Sequence, residues 1–189
     1  MTPIGRTPLR LLALDPSSTR TGYAWAVLTD TLRPKATWGF TGVGAILPDR
    51  TKDPALVRID AMCKKIFDMV MGIQADKEMD LTIVIEVTSG KVNSMRHGGG
   101  GAGLATYGMA IGAIRETCRQ IKRIGDFNVD LHSISENKWT GGHSKAKRNA
   151  VARKHCPLYT EAIQKKDRGG DVSDAIALAV WYMQIGSKI

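Results

Sequence analysis

Residues 11–24 read Leu-Leu-Ala-Leu-Asp-Pro-Ser-Ser-Thr-Arg-Thr-Gly-Tyr-Ala, and this stretch organises the rest of the chain. An apolar run, Arg10–Leu14, stops at Asp15. The Pro-Ser-Ser-Thr that follows is a turn signal, and Gly22–Leu28 is apolar again, so the pattern predicts two strands joined by a tight turn. Thr29–Lys35 holds Asp30 and Pro34 and reads as a hairpin loop, with Ala36–Val43 as the returning strand. Beyond it, Pro54–Ile73 places Leu56, Ile59, Met62, Cys63, Ile66, Met69, Val70 and Ile73 at helical spacing. Leu81–Val87 is almost continuously apolar, as a buried parallel strand should be.

A polar and glycine-rich stretch through Arg96 and Gly98–Gly101 precedes a helix expected from about Ala102 to Ile121. Its apolar positions are Leu104, Tyr107, Ile111, Ile114, Cys118 and Ile121. Phe127–His132 alternates like a strand. Ser144–His155 reads as a basic helix with Ser144 as N-cap, and Asp171–Ile185 as an apolar closing helix. The order βββαβαβαα implies a mixed sheet flanked by helices. No linker divides the chain, so residues 1–189 are expected to form a single domain.

The chain has 189 residues and a formal charge of +9, from 27 Lys+Arg against 18 Asp+Glu. Lys138–Arg168 alone holds nine basic residues against Glu161 and Asp167, a net +7. Such a surface is either a solvated face or a track for phosphates. The longest apolar run, Ala175–Met183, is well short of the ~18–20 residues that span a bilayer. Leu11–Leu14 is too short for a secretory leader, and three separated cysteines (Cys63, Cys118, Cys156) form neither a disulfide frame nor a zinc site. A cytoplasmic location is the expectation.

Four carboxylates break the hydrophobic pattern. Asp15 closes the first strand, Glu86 sits inside Ile83-Val84-Ile85-Glu86-Val87, and Asp171 and Asp174 open the last helix on one face. Each has a structural reading: Asp15 can cap its turn through Ser17 and Thr19, Glu86 can pair with a Lys or Arg, and Asp171 can cap its helix. Brought together at strand ends, however, two carboxylates 4 Å apart repel by ~4 kcal/mol at an effective dielectric of 20. The cluster then needs protons, basic partners or a divalent cation, and hard oxygen donors suit Mg²⁺ or Mn²⁺.

Leu11–Ala24 resembles the opening of the RuvC Holliday-junction resolvases, where a strand ends in Asp-Pro-Gly-Ser and runs on to Thr-Gly-aromatic-Gly. Ile83–Glu86 resembles the second acidic strand of that family. Ser135-Glu136-Asn137-Lys138 through Ser144-Lys145 resembles its lysine-bearing stretch, and Asp171–Ala179 its terminal Asp-x-x-Asp-Ala helix. The four blocks keep the family's order. Two departures stand out: Ser17 replaces a glycine, and Val87–Lys91 lacks the aromatic that wedges into the junction in cellular members. Divergent phage-type members vary in these ways.

The resemblance implies a ribonuclease-H-like five-stranded mixed sheet flanked by helices. It also implies a homodimeric, structure-specific endonuclease that resolves four-way DNA junctions by paired hydrolysis, leaving 5′-phosphate and 3′-hydroxyl ends. Asp15, Glu86, Asp171 and Asp174 would be the catalytic and metal-binding residues, with two Mg²⁺ per site and Mn²⁺ as a substitute. Lys138, Lys145, Lys147, Arg148, Lys91 and Arg96 would bind DNA. Gly108, Ile111 and Gly112, on a helix the family uses in its dimer contact, would form the dimer interface, although packing against the sheet explains the glycines equally well. No membrane and no nucleotide cofactor are expected; Gly98–Thr106 lacks the Gly-Lys-Ser/Thr of a phosphate loop. The rival readings are a broader fork or flap nuclease of the same fold, an ATPase-like phosphate-binding domain, and a DNA-binding protein without catalysis.

Overall fold

A computed structural model describes residues 9–29, 37–73, 80–87, 101–125 and 128–184. Its strands are β1 (Leu9–Pro16), β2 (Thr21–Thr29), β3 (Thr37–Ile46), β4 (Asp80–Val87) and β5 (Val129–Ser135). The helices are α1 (Ala55–Ile73), α2 (Gly101–Ile124), α3 (Glu136–Thr140), α4 (Lys145–His155), α5 (Glu161–Lys166) and α6 (Asp171–Gln184). One sheet runs in the order β3-β2-β1-β4-β5. β1 is antiparallel to β2 and parallel to β4, β2 is antiparallel to β3, and β4 is parallel to β5. The mixed sheet flanked by helices agrees with the reading of the sequence. The short helices α3 and α5 were not expected: five and six residues are too few to show a helical period.

Side-chain alternation decides what lies on each face of the sheet. Leu12, Leu14, Ile83 and Ile85 point to one side, where they pack with Ile59, Met62, Ile66 and Val70 of α1 and Ala110, Ile114, Cys118 and Ile121 of α2. Leu11, Ala13, Ala24, Ala26 and Val84 point to the other, against Val172, Ala175, Ile176 and Ala179 of α6. By the same parity Asp15 and Glu86, one step beyond Leu14 and Ile85, belong to the α6 side. Leu14 is registered with Ile85 across the parallel pair, so the two acidic positions come next on neighbouring strands at the same end of the sheet.

The first residues of α6 meet that end over β2. Gly22 is the register partner of Asp15, and a Cβ on Gly22 would overlap the Asp171 carbonyl. Glycine is needed there because a backbone lies where a side chain would be. The turn after Asp15 closes on itself: Ser17 N–H donates to the Arg20 carbonyl (2.9 Å), and the Ser17 hydroxyl both accepts from Arg20 N–H (3.2 Å) and donates to the Arg20 carbonyl (2.6 Å). Ser17 thus does what was one reading of Asp15, leaving that carboxylate for other partners. Ser144 caps α4 as expected, accepting from Lys147 N–H.

The three cysteines are free thiols. Among the described residues no helix is long and apolar enough to cross a membrane.

A carboxylate cluster flanked by basic side chains

Asp15, Glu86 and Asp174 are buried, with 7%, 7% and 6% of their surface exposed, and Asp171 is half-buried beside them. They act on one another electrically. Burial and then the charges of Glu86, Asp174 and Asp171 raise the Asp15 carboxyl well above its ordinary range. Burial, then Glu136 and Asp174, push Glu86 up to about 8, although the Trp139 N–H and Arg148 work the other way. Burial also raises Asp171, against the pull of Arg20 and Lys145. Desolvation dominates each shift and like charge adds to it, the pattern of buried acids within electrostatic reach of one another.

Basic side chains hold part of this cluster. Arg148 forks onto Asp174, Nε to Oδ1 at 2.8 Å and a terminal nitrogen to Oδ2 at 3.1 Å, and Lys145 Nζ stands 3.5 Å from Asp174 Oδ2. Arg20, in the turn after Asp15, pairs through Nε with Asp171 and lies 3.6 Å from Asp167. Glu86 accepts a 2.9 Å hydrogen bond from the Trp139 indole. Its expected structural partner was a Lys or Arg; the partner found is aromatic.

Among the described residues no three acidic, His or Cys side chains are gathered closely enough to hold a metal ion as they stand. The side chains are instead engaged with other partners, Asp174 with Arg148, Asp171 with Arg20 and Glu86 with Trp139. The donor set still fits a divalent cation in kind. It offers hard carboxylate oxygens from four residues, their mutual repulsion calls for positive charge, and one of them already carries a bidentate cation.

Several residues of the site were not singled out from sequence. Asp167 is buried, and its carboxylate takes the α6 N–H groups of Val172 (3.1 Å) and Ser173 (3.0 Å) and the Tyr159 hydroxyl (2.8 Å). The capping role expected of Asp171 therefore belongs to Asp167, which frees Asp171 to face Arg20. The signal was legible: an acid just before Gly169-Gly170 and the start of an apolar helix. Tyr107 of α2 lies close enough to feel Asp15 and Glu86, and burial followed by those charges raises its hydroxyl far above the ordinary value. Trp139 is buried and committed to Glu86 through its indole N–H.

Of the predicted DNA contacts, Lys138, Lys145 and Lys147 are exposed and Arg148 is half-buried; Lys91 and Arg96 lie outside the described residues, as do Gly98–Gly100. His143 is exposed, and its carbonyl accepts from Arg148 at 3.0 Å. On α2, Gly108 and Gly112 are exposed with open space where a Cβ would stand, so sheet packing does not account for them. Ile111 is half-buried.

No protein-family model matches the sequence, and no curated protein matches it either. Solved structures do resemble the fold. Thermus thermophilus RuvC in complex with a Holliday junction substrate aligns at a TM-score of 0.63 and 14% identity, over 95% of this chain and 97% of that one. The yeast mitochondrial Holliday junction resolvase Ydc2 aligns at 0.55 and 14% identity, over 96% and 82%. The fowlpox virus Holliday junction resolvase aligns at 0.54 and 12% identity, over 96% and 100%. The chain has the ribonuclease-H-like fold of these resolvases, with its five-stranded mixed sheet flanked by helices.

Proposed function

We propose that this chain is a structure-specific DNA endonuclease that resolves four-way junctions, built as one nuclease domain over residues 1–189 and acting as a homodimer. The observation that carries the reading is the meeting of Asp15, Glu86, Asp171 and Asp174 at one end of the sheet, beside Lys145 and Arg148. The likeness of almost the whole chain to solved junction resolvases supports the substrate class. A pure DNA-binding protein has no use for buried acids beside its cationic surface, because they repel the phosphates it must hold.

In this reading Asp15, Glu86, Asp174 and Asp171 would hold Mg²⁺ or Mn²⁺, two ions per site, and the metal would supply activation of water and stabilisation of the leaving oxygen for an in-line displacement that leaves 5′-phosphate and 3′-hydroxyl ends. The protein's own contribution is placement. β1 and β4 fix Asp15 and Glu86 on adjacent strands, Gly22 lets α6 come down beside them, and Asp167 anchors the first turn of α6. Lys138, Lys145, Lys147 and Arg148 hold phosphates near the scissile bond, contacts that position DNA without reading its sequence. A four-way junction has two strands to cut, so two copies related by a twofold axis supply paired incisions, with Gly108, Ile111 and Gly112 of α2 at their contact.

The test is cleavage of a four-way junction, a Y-fork and linear duplex in Mg²⁺, each with Asp174→Asn alongside. The proposal expects preference for the four-way junction, and expects Asp174→Asn to bind it but not cut it. Equal cutting of fork and junction would replace this reading with the broader branched-DNA nuclease, which the missing aromatic in Val87–Lys91 favours. Unimpaired cutting by Asp174→Asn would remove the site. Sedimentation at micromolar concentration tests the dimer, and a monomer there would contradict it.

A further inference from the structure

Trp139 and Arg148 together touch two of the four carboxylates. The Trp139 indole N–H donates to Glu86 Oε2, and the Arg148 guanidinium carbon lies 5.6 Å from the centre of the same ring, within range of a cation–π contact. That guanidinium grips both oxygens of Asp174 and also donates to the His143 carbonyl at 3.0 Å. The planar fork is thus satisfied on three sides, the geometry that makes arginine–carboxylate pairs strong and directional. Trp139 is buried in α3, which ends at Gly141 with a φ of 54°, so the ring is a fixed platform followed by a sharp turn.

Arg148 takes up one lone-pair direction on each Asp174 oxygen, and a guanidinium left in place would repel a divalent ion held through that carboxylate. We propose that Trp139 is a positioning residue that sets Glu86 and Arg148 side by side, and that Arg148 is a resident cation on Asp174 which the metal displaces. The freed guanidinium, at the start of the basic helix α4, then turns to a DNA phosphate. Metal loading and the phosphate grip are thereby one exchange. This inference rests on the metal-site reading given above. Lys145, 3.5 Å from Asp174 and bonded to the Gly169 carbonyl, stays as the second positive charge.

The experiment is calorimetric titration of the full chain with Mn²⁺ in the absence of DNA, followed also by tryptophan fluorescence. Arg148→Gln is expected to bind Mn²⁺ about tenfold more tightly than the wild type, the scale of one partly exposed ion pair, with Arg148→Lys between the two. Wild-type fluorescence should change on Mn²⁺ binding as the cation leaves the ring, and that change should be absent in Trp139→Phe. In Mn²⁺, Arg148→Gln should hold a four-way junction less tightly. If Arg148→Gln and Arg148→Lys bind Mn²⁺ no better than the wild type while Asp174→Asn binds none, the exchange is wrong and the metal site stands. If the wild type binds no Mn²⁺, or Asp174→Asn binds it equally well, the metal site falls and the exchange with it.

Discussion

The two faces of one sheet carry different kinds of residue, although the same strands supply both. Toward α1 and α2, β1 and β4 present Leu12, Leu14, Ile83 and Ile85, all fully buried. Toward α6 they present Leu11, Ala13 and Val84, and β2 adds Ala24, Ala26 and Gly22. Bulk on the first face buries apolar surface against α1 and α2. Small residues on the second let α6 lie close enough for its opening acids to join those that end β1 and β4. One face is built for stability and the other for proximity, so substitutions on them should fail in different ways.

The largest effect expected is on activity alone. Asp15→Asn should lower Mg²⁺-dependent junction cleavage by at least ~10³-fold, on the scale of losing a principal electrostatic group at a reaction centre. Its thermal stability without metal should rise, because a buried charge repelled by three others is gone. Activity assays and melts on the same preparation check both. A fall in stability would mean that Asp15 is part of the core's support and not of the site.

The opposite face should show the converse. Ile85→Ala, at a fully buried position one residue before Glu86, should cost ~2–5 kcal/mol. For a chain of this size that is a drop in Tm of ~4–20 °C, at ~2–4 °C per kcal/mol. Cleavage per folded molecule at low temperature should be kept within a few-fold. Gly22→Ala lies between the two: it should cost ~1–3 kcal/mol through overpacking, and should also lower cleavage, because α6 must lift away from Asp15.

A smaller effect sharpens the electrical half of the comparison. Glu86 titrates near 8 in the folded chain against an ordinary value of 4.5. The folded state therefore holds that proton more tightly than the unfolded state, a contribution fully present below about pH 4.5 and lost as pH rises to about 8. Asp15 acts in the same direction. Metal-free Tm should fall across this window, the slope should be shallower in Glu86→Gln, and saturating Mg²⁺ should remove most of it. A flat profile in the wild type would mean the carboxylates do not share a pocket. The smallest effect belongs to the exposed rim: Lys145→Ala should weaken junction binding evenly across DNA sequences and reduce the slope of log affinity against log salt by about one.

Legibility from sequence followed the same division. The strands and long helices could be read because alternation and helical period run over enough residues, as in Leu81–Val87 and Pro54–Ile73. The four acids could be read because each interrupts an apolar pattern. What escaped was local and short: α3 and α5, the indole that holds Glu86, and Asp167 as the cap of α6. Which arginine meets which acid was also hidden, since Arg20–Asp171 and Arg148–Asp174 depend on how α4 and the β1–β2 turn sit against α6. Sequence spacing carries no record of such a meeting.

Anomalous scattering from crystals of the full chain soaked in Mn²⁺ tests the central claim most directly. Manganese peaks bounded by Asp15, Glu86 and Asp174, with Arg148 withdrawn from Asp174, are the predicted result. Crystals saturated with Mn²⁺ that show no peak among these residues, with Arg148 still forked onto Asp174, would contradict it.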